Sequence, residues 1–145
     1  MKLDFAVLSN ASEVNGNLLY LQGGGWDTGW RPFFPAPFQG ALTIRLLWHP
    51  TELSSSHQLE LRFLSEDGAE FAPTFRLTMQ GAKLAADFPK GWDVPLMFAI
   101  GLQNLPIPAP GHYSIEVLVD NQHLKSVQFR MMKGGAPVPQ LPSPS

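Results

Sequence analysis

The chain contains no cysteine and few charged residues, and both absences exclude classes of protein. Without cysteine there are no disulfides, thiolate metal sites or cysteine nucleophiles. Charged residues make up only 15%, with Lys+Arg 10 against Asp+Glu 12, a net charge of −2 and no run of like charge. Nucleic-acid-binding proteins and polybasic membrane-binding segments normally present concentrated positive charge. We therefore expect neither nucleic acid nor a membrane as a partner.

Long hydrophobic runs are also absent. No stretch reaches transmembrane length, and Asp4, Asn10, Ser12 and Glu13 interrupt the first residues where a signal peptide would need an apolar segment. The sequence therefore predicts a cytoplasmic protein, or one exported by an unusual route.

What the chain does contain is typical of a folded all-β domain. Its 145 residues suit one domain, and 44% of them are hydrophobic, which is enough for a buried core. Gly 13 and Pro 14 are spread along the chain and leave little room for long helices. Short segments with period-two alternation lie between them, and alternation of this kind places apolar side chains on one face of a strand.

The alternating segments predict a single antiparallel β-sandwich, immunoglobulin-like or jelly-roll, over residues 1–133. A flexible, proline-rich tail is expected over residues 134–145. Six residues at core-facing positions of the strong strands are predicted to form the core: Leu61, Phe98, Tyr113, Ile115, Val117 and Phe129. Leu3, Phe5 and Val7 continue the same alternation at the N-terminus.

Local signals predict the links between strands. Asn10 with Glu13 three residues later has the form of a capping box, which predicts one helical turn. Asn15-Gly16, Asp67-Gly68 and Asp120-Asn121 are typical of tight turns.

Two segments resemble known proteins. MKLDFAVLSNASEVNGNLLYLQGGGWDTGW resembles the start of a family of short bacterial all-β proteins of unknown function, with an L-D-F strand and a G-G-G-W-D segment. PGHYSIEVLVDNQHLKSVQFRM resembles the closing hairpin of many immunoglobulin-like bacterial sandwiches. The resemblance implies a small all-β domain in a bacterial or phage setting, and it implies no catalytic residue.

Motifs for the common chemistries are absent from the sequence. Ser54, Ser55 and Ser56 precede His57, but adjacent side chains of an extended chain point apart, so this stretch is interpreted as a polar loop. Gly23-Gly24-Gly25 lacks the lysine and the helix of a phosphate-binding loop. The histidines are scattered, so we predict no catalytic residue, no metal site and no cofactor.

Aromatic residues are concentrated in one segment, Gly25–Gln39, which reads GWDTGWRPFFPAPFQ. Its prolines exclude a central strand, so the segment is predicted to be a loop or a bent edge. Two interpretations remain open: a lid packed on the core, or an exposed surface for a partner. Trp26 and Asp27 are expected to be structural, and the interaction surface is assigned to a second set: Trp30, Arg31, Phe33, Phe34 and Phe38.

The sequence thus favours a non-enzymatic role. The preferred hypothesis is a structural or protein-interaction module that binds another protein or a second copy of itself, within a larger bacterial or phage assembly. The alternative is a carbohydrate- or small-ligand-binding module in which Trp26 and Trp30 stack on a sugar ring. A site assembled from distant loops leaves no local motif, so an enzyme is the third hypothesis.

Overall fold

The computed structural model describes residues 1–81, 83–135 and 142–144, and the strands between Lys2 and Lys133 form a β-sandwich. Most of the predicted tail falls on residues 136–141 and 145, which lie outside the described residues. Within the described part there is no helix long and apolar enough to cross a membrane. The only helical element assigned there is a single 3₁₀ turn, η1, at Pro50–Glu52. The prediction of an all-β sandwich is confirmed.

Two sheets carry the sandwich. The first has four strands in the order β2 (Leu18–Gly24), β1 (Lys2–Asn15), β5 (Ala41–Trp48) and β8 (Val94–Gly101). The second has five strands in the order β3 (Thr28–Arg31), β11 (Gln122–Lys133), β10 (Gly111–Val119), β6 (His57–Ser65) and β7 (Glu70–Met79). Two short strands, β4 (Ala36–Pro37) and β9 (Pro106–Ile107), pair separately.

The pairing is antiparallel with one exception. β3 runs parallel to β11, with Thr28 opposite Arg130 and Arg31 opposite Lys133. The chain leaves β2 at the edge of the first sheet and enters β3 at the edge of the second. This parallel pair is an exception to the antiparallel pairing that the alternating segments predict.

The core forms where the alternating strands of both sheets face one another. Leu42, Ile44 and Leu46 of β5 lie in one buried cluster with residues of β6, β10 and β11. Five of the six predicted core residues are buried there: Leu61, Tyr113, Ile115, Val117 and Phe129. The sixth, Phe98, packs against this cluster but is only half-buried because its strand β8 lies at a sheet edge.

The N-terminal strand departs from the predicted pattern twice. The register with β5 shifts between Leu3 and Phe5, so Leu3 and Ala6 pack against the core instead of an unbroken Leu3–Phe5–Val7 face. A bulge of this kind reverses the faces of all residues beyond it. The predicted helical turn at Asn10–Glu13 is wrong, since these residues lie within β1.

The hairpin turns agree closely with the sequence. Asp120 and Asn121 both have positive φ, 49° and 65°, and connect β10 to β11 directly. The first hairpin turns at Gly16-Asn17, with φ of 57° and 61°, one residue later than the predicted Asn15-Gly16. Positive φ at both positions defines the turn type that suits two-residue hairpins.

Candidate functional site

The aromatic segment Gly25–Gln39 is partly core and partly surface. Phe38 is fully buried and contacts Phe129 with ring centroids 5.1 Å apart. Trp26 is half-buried and lies 5.3 Å from the Phe38 ring, so its assignment as structural agrees with its position. Including Phe38 in an exposed surface was wrong, because its ring fills the space between the two sheets.

Backbone pairing fixes the course of this segment. Ala36 is opposite Ile107 in the β4–β9 pair, and the Phe38 N–H donates to the Leu105 carbonyl at 2.8 Å. On the other side the Arg130 N–H donates to the Asp27 carbonyl at 2.7 Å. The exposed Asp27 carboxylate accepts a hydrogen bond from the Thr28 hydroxyl at 2.9 Å, which is a local turn contact.

The Arg31 guanidinium is turned back onto its own segment. It donates to the Trp30 carbonyl at 2.7 Å, to the Pro37 carbonyl at 3.2 Å and to the Phe38 carbonyl. Arg31 was assigned to the interaction surface, but these donors are engaged with main-chain oxygens of its own segment. We therefore infer that Arg31 holds this segment in place, because main-chain carbonyl groups that are partly removed from water need donors.

The remaining predicted surface residues differ in exposure. Phe33 is 77% exposed, the highest value among the exposed large apolar side chains of the described residues. Phe34 is half-buried and packs against the core, and Trp30 is also half-buried. Trp30 is in register with Met132 of β11, which is 45% exposed. Met132 is the member of this surface that sequence reasoning missed, since only the parallel β3–β11 pair brings it next to Trp30.

A polar hollow of about 420 Å³ lies beside the start of β10. Its lining includes Asp27, Glu66, His112, Ser114 and Arg130. Arg130 donates to the Thr28 hydroxyl at 3.2 Å within the same region. The tyrosine and the phenylalanine of the lining, Tyr113 and Phe129, are buried, so the hollow offers neither ring for stacking on a sugar.

Ser55, His57 and Asp120 come together in an order that resembles a nucleophile, a base and an acid. His57 Nδ1 lies 2.5 Å from an Asp120 carboxylate oxygen, and Nε2 lies 3.3 Å from the Ser55 hydroxyl. Nε2 also lies 2.8 Å from the Glu52 carbonyl, which can only accept. The Nε2 hydrogen is therefore directed at Glu52, and this nitrogen has no lone pair for Ser55.

This arrangement favours the charged form of His57. The hydrogen bond to Asp120 raises the pKa of His57, and the Glu52 carbonyl adds to the effect. The backbone N–H of Gln58 lowers the pKa of Asp120, against the desolvation that raises it, and His57 lowers it further. The cluster is an ion pair that fastens the β10–β11 turn to the start of β6. Asp120 is distant from His57 in sequence, so no local motif could predict that the two side chains meet.

A second polar cluster lies on the solvent-facing side of β10 and β11. Burial raises the pKa of Glu116, but hydrogen bonds from Ser126, His123 and Ser114 outweigh it and lower the pKa below its usual value. His123 Nε2 lies 2.6 Å from the Glu116 carboxylate. Within the described residues no group of three or more His, Asp and Glu side chains is placed to hold a metal ion.

Comparison with known proteins agrees with the resemblance seen in the sequence. No curated protein matches the chain. The model of a family of unknown function, DUF6941, matches residues 4–132, which is almost the whole sandwich. The chain therefore belongs to this family of unknown function.

Proposed function

We propose that the domain is a non-catalytic protein-interaction module whose binding surface consists of Trp30, Phe33 and Met132. The observation that carries this proposal is the 77% exposure of Phe33 on a segment that is fastened on both sides. An exposed aromatic ring on a fixed backbone loses little conformational entropy when a partner covers it. Exposed aromatic and methionine side chains are typical of the centres of protein interfaces.

We infer further that the sandwich is immunoglobulin-like rather than a jelly-roll. Two observations support this topology: the early strand β3 pairs in parallel with the last strand β11, and the Tyr113 hydroxyl near the start of β10 donates to the Ala109 carbonyl. A tyrosine that bonds back to the chain just upstream is a hallmark of the penultimate strand in immunoglobulin-like domains. Such domains commonly serve as binding and assembly modules, which agrees with the proposed role.

Several features favour a protein as the partner over nucleic acid or carbohydrate. A net charge of −2 without a basic cluster gives no electrostatic attraction for nucleic acid. The carbohydrate alternative required both Trp26 and Trp30 as stacking surfaces, and Trp26 packs against Phe38. The absence of cysteine agrees with a cytoplasmic partner, within a bacterial or phage assembly.

The test places a photo-reactive phenylalanine analogue at position 33 of the full chain in cells and identifies the cross-linked protein. Binding of that purified protein is then measured for Phe33→Ala and for the matched control Trp92→Ala. Trp92 is 67% exposed but belongs to the link between β7 and β8. We expect Phe33→Ala to weaken binding by about tenfold or more, as loss of an interface anchor does.

Three outcomes would contradict the proposal. One is unchanged affinity of Phe33→Ala for the cross-linked protein. Another is an equal loss of affinity for Trp92→Ala. The third is quenching of tryptophan fluorescence by a glycan panel in the wild type but not in Trp30→Ala, which would support the carbohydrate alternative.

A further inference from the structure

Exposed apolar residues that do not belong to the surface around Phe33 are concentrated in one edge strand. Leu18, Tyr20 and Leu21 of β2 are 60%, 57% and 41% exposed. β2 lies at the end of the first sheet, and β1 is its only strand partner in the part of the chain that the structure describes. Its outer edge therefore presents main-chain N–H and C=O groups without a strand to receive them.

The hairpin that contains β2 extends beyond the rest of its sheet. β1 pairs with β5 from Lys2 to Ser9, whereas its remaining residues to Asn15 pair with β2 alone. The outer part of this hairpin is thus a ribbon of two strands, and ribbons of two strands are only marginally stable in water. On its β1 side, residues 12–14 line a hollow together with β8 residues 97–101 and two residues of β7, Phe75 and Leu77. On its β2 side, the hairpin has no further strand partner among the described residues.

β2 also lacks the residues, proline and charged side chains, that normally prevent an edge strand from pairing with another molecule. The other three edge strands of the two large sheets each carry a proline or a charge: β3 has Arg31, β7 has Pro73 with Arg76, and β8 has Pro95. The sequence of β2, LLYLQGG, contains neither. An uncharged, apolar edge without proline is a template for pairing with another strand.

We propose that β2 pairs antiparallel with β2 of a second copy of this chain, joining the two four-stranded sheets into one. This surface shares no residue with the one proposed around Phe33. A second copy fits because a two-fold axis places an identical uncharged strand opposite β2, so apolar side chains meet apolar side chains.

The hairpin turn determines the register of this pair. Asn15 and Leu18 flank a two-residue turn, so they form a hydrogen-bonded pair and the alternation directs the N–H and C=O of Leu19 and Leu21 outward. A two-fold axis at Leu21 would place Leu19 of one copy opposite Gly23 of the other, and an axis at Leu19 would place Leu21 opposite Asn17. Gly23 and Asn17 both have φ of 61°, so neither has the extended backbone that this pairing requires. Only an axis at Tyr20 uses both outward residues, with Leu19 of each copy opposite Leu21 of the other.

This register makes a specific prediction for cysteine cross-linking, because the chain has no cysteine of its own. Tyr20 faces its own copy across a pair without mutual hydrogen bonds, where side chains approach most closely and a disulfide fits. Leu18 is equally exposed, but in the same register it faces Gln22 of the other copy. Two Leu18 residues would be about 14 Å apart at 3.4 Å per residue, which is too far for a disulfide.

The experiment oxidises Tyr20→Cys and Leu18→Cys of the full chain under mild conditions and measures covalent dimers on non-reducing gels. We expect Tyr20→Cys to form dimers at least tenfold faster than Leu18→Cys.

The wild type should show an apparent mass by light scattering that rises with concentration. Leu21→Pro removes an outward N–H, so it should stay monomeric, as should Tyr20→Lys, which adds like charges at the axis.

Melting curves establish that each variant is folded. Phe33→Ala should keep the self-association of the wild type, so failure of one proposed surface is distinguishable from failure of the other. A wild type that stays monomeric at every concentration would overturn the proposal. Cross-linking of Leu18→Cys as fast as Tyr20→Cys would overturn the register and with it the proposed pairing.

Discussion

His57 donates from Nδ1 to a carboxylate oxygen of Asp120, 2.5 Å away, and so connects the start of β6 to the turn between β10 and β11. The other Asp120 oxygen accepts from the backbone N–H of Gln58 at 2.9 Å. The His57 ring also packs against the buried Trp48 in an edge-to-face arrangement, with ring centroids 4.9 Å apart. One side chain therefore combines an ion pair with a core contact.

This ion pair predicts a pH-dependent contribution to stability. Because the pKa of His57 is raised in the folded state, its contribution is complete below the ordinary histidine pKa of about 6.5 and is lost as the pH rises through the raised value. The pKa of Asp120 is lowered, so its contribution is present above about pH 4 and is lost as the pH falls through the lowered value. We expect the two to act together between about pH 4 and pH 6.5.

The measurement is urea unfolding of wild type, Asp120→Asn and His57→Gln at pH 5.5 and pH 9. Asp120→Asn should lower the free energy of unfolding at pH 5.5 by about 1 kcal/mol, a modest value because the Asp120 side chain is 50% exposed. The loss should shrink at pH 9. The exposed His112→Gln serves as control and should show no such difference. An equal loss for Asp120→Asn at both pH values would contradict the prediction.

Arg31 gives a prediction about the aromatic segment. Arg31→Met keeps the aliphatic stem but leaves the carbonyls of Trp30, Pro37 and Phe38 without this donor. We expect the free energy of unfolding to fall by about 1–3 kcal/mol, the cost of leaving partly buried polar groups unsatisfied. Lys133→Met is the matched control, since Lys133 is exposed and in register with Arg31. Equal stabilities of the two variants would show that Arg31 does not fasten the segment.

The aromatic core gives a prediction that separates buried from edge positions. Phe129 is 2% exposed and contacts both Phe38 and Tyr113, with ring centroids 5.1 and 5.5 Å away. Phe129→Ala should cost about 3–5 kcal/mol of unfolding free energy, as large-to-small core substitutions do. Phe98→Ala should cost clearly less, because Phe98 is half-buried on the edge strand β8. The free energy of unfolding of both variants is measured by thermal or chemical unfolding. A larger loss of stability for Phe98→Ala than for Phe129→Ala would contradict the assignment of Phe129 to the core and of Phe98 to the edge.

The sequence by itself determined the all-β class, most strands, most turns and the division of faces in β5, β6, β10 and β11. These features depend on local alternation and on turn residues with positive φ, such as Asp120 and Asn121. The same alternation misled at the N-terminus, where a bulge shifts the pattern after Leu3. The apparent capping box at Asn10 gave way to pairing with β2, since pairing of the whole strand satisfies more backbone groups than one helical turn.

Only the tertiary structure decided which aromatic residues of the segment Gly25–Gln39 are buried. Phe33 and Phe38 are the same residue type in the same stretch, yet one lies in solvent and the other between the sheets. Their positions depend on β3 pairing with β11 and β4 pairing with β9, contacts between residues distant in sequence. The same is true of His57 with Asp120 and of the free edge of β2. Contacts of this range follow from strand order, which local patterns of residues do not encode.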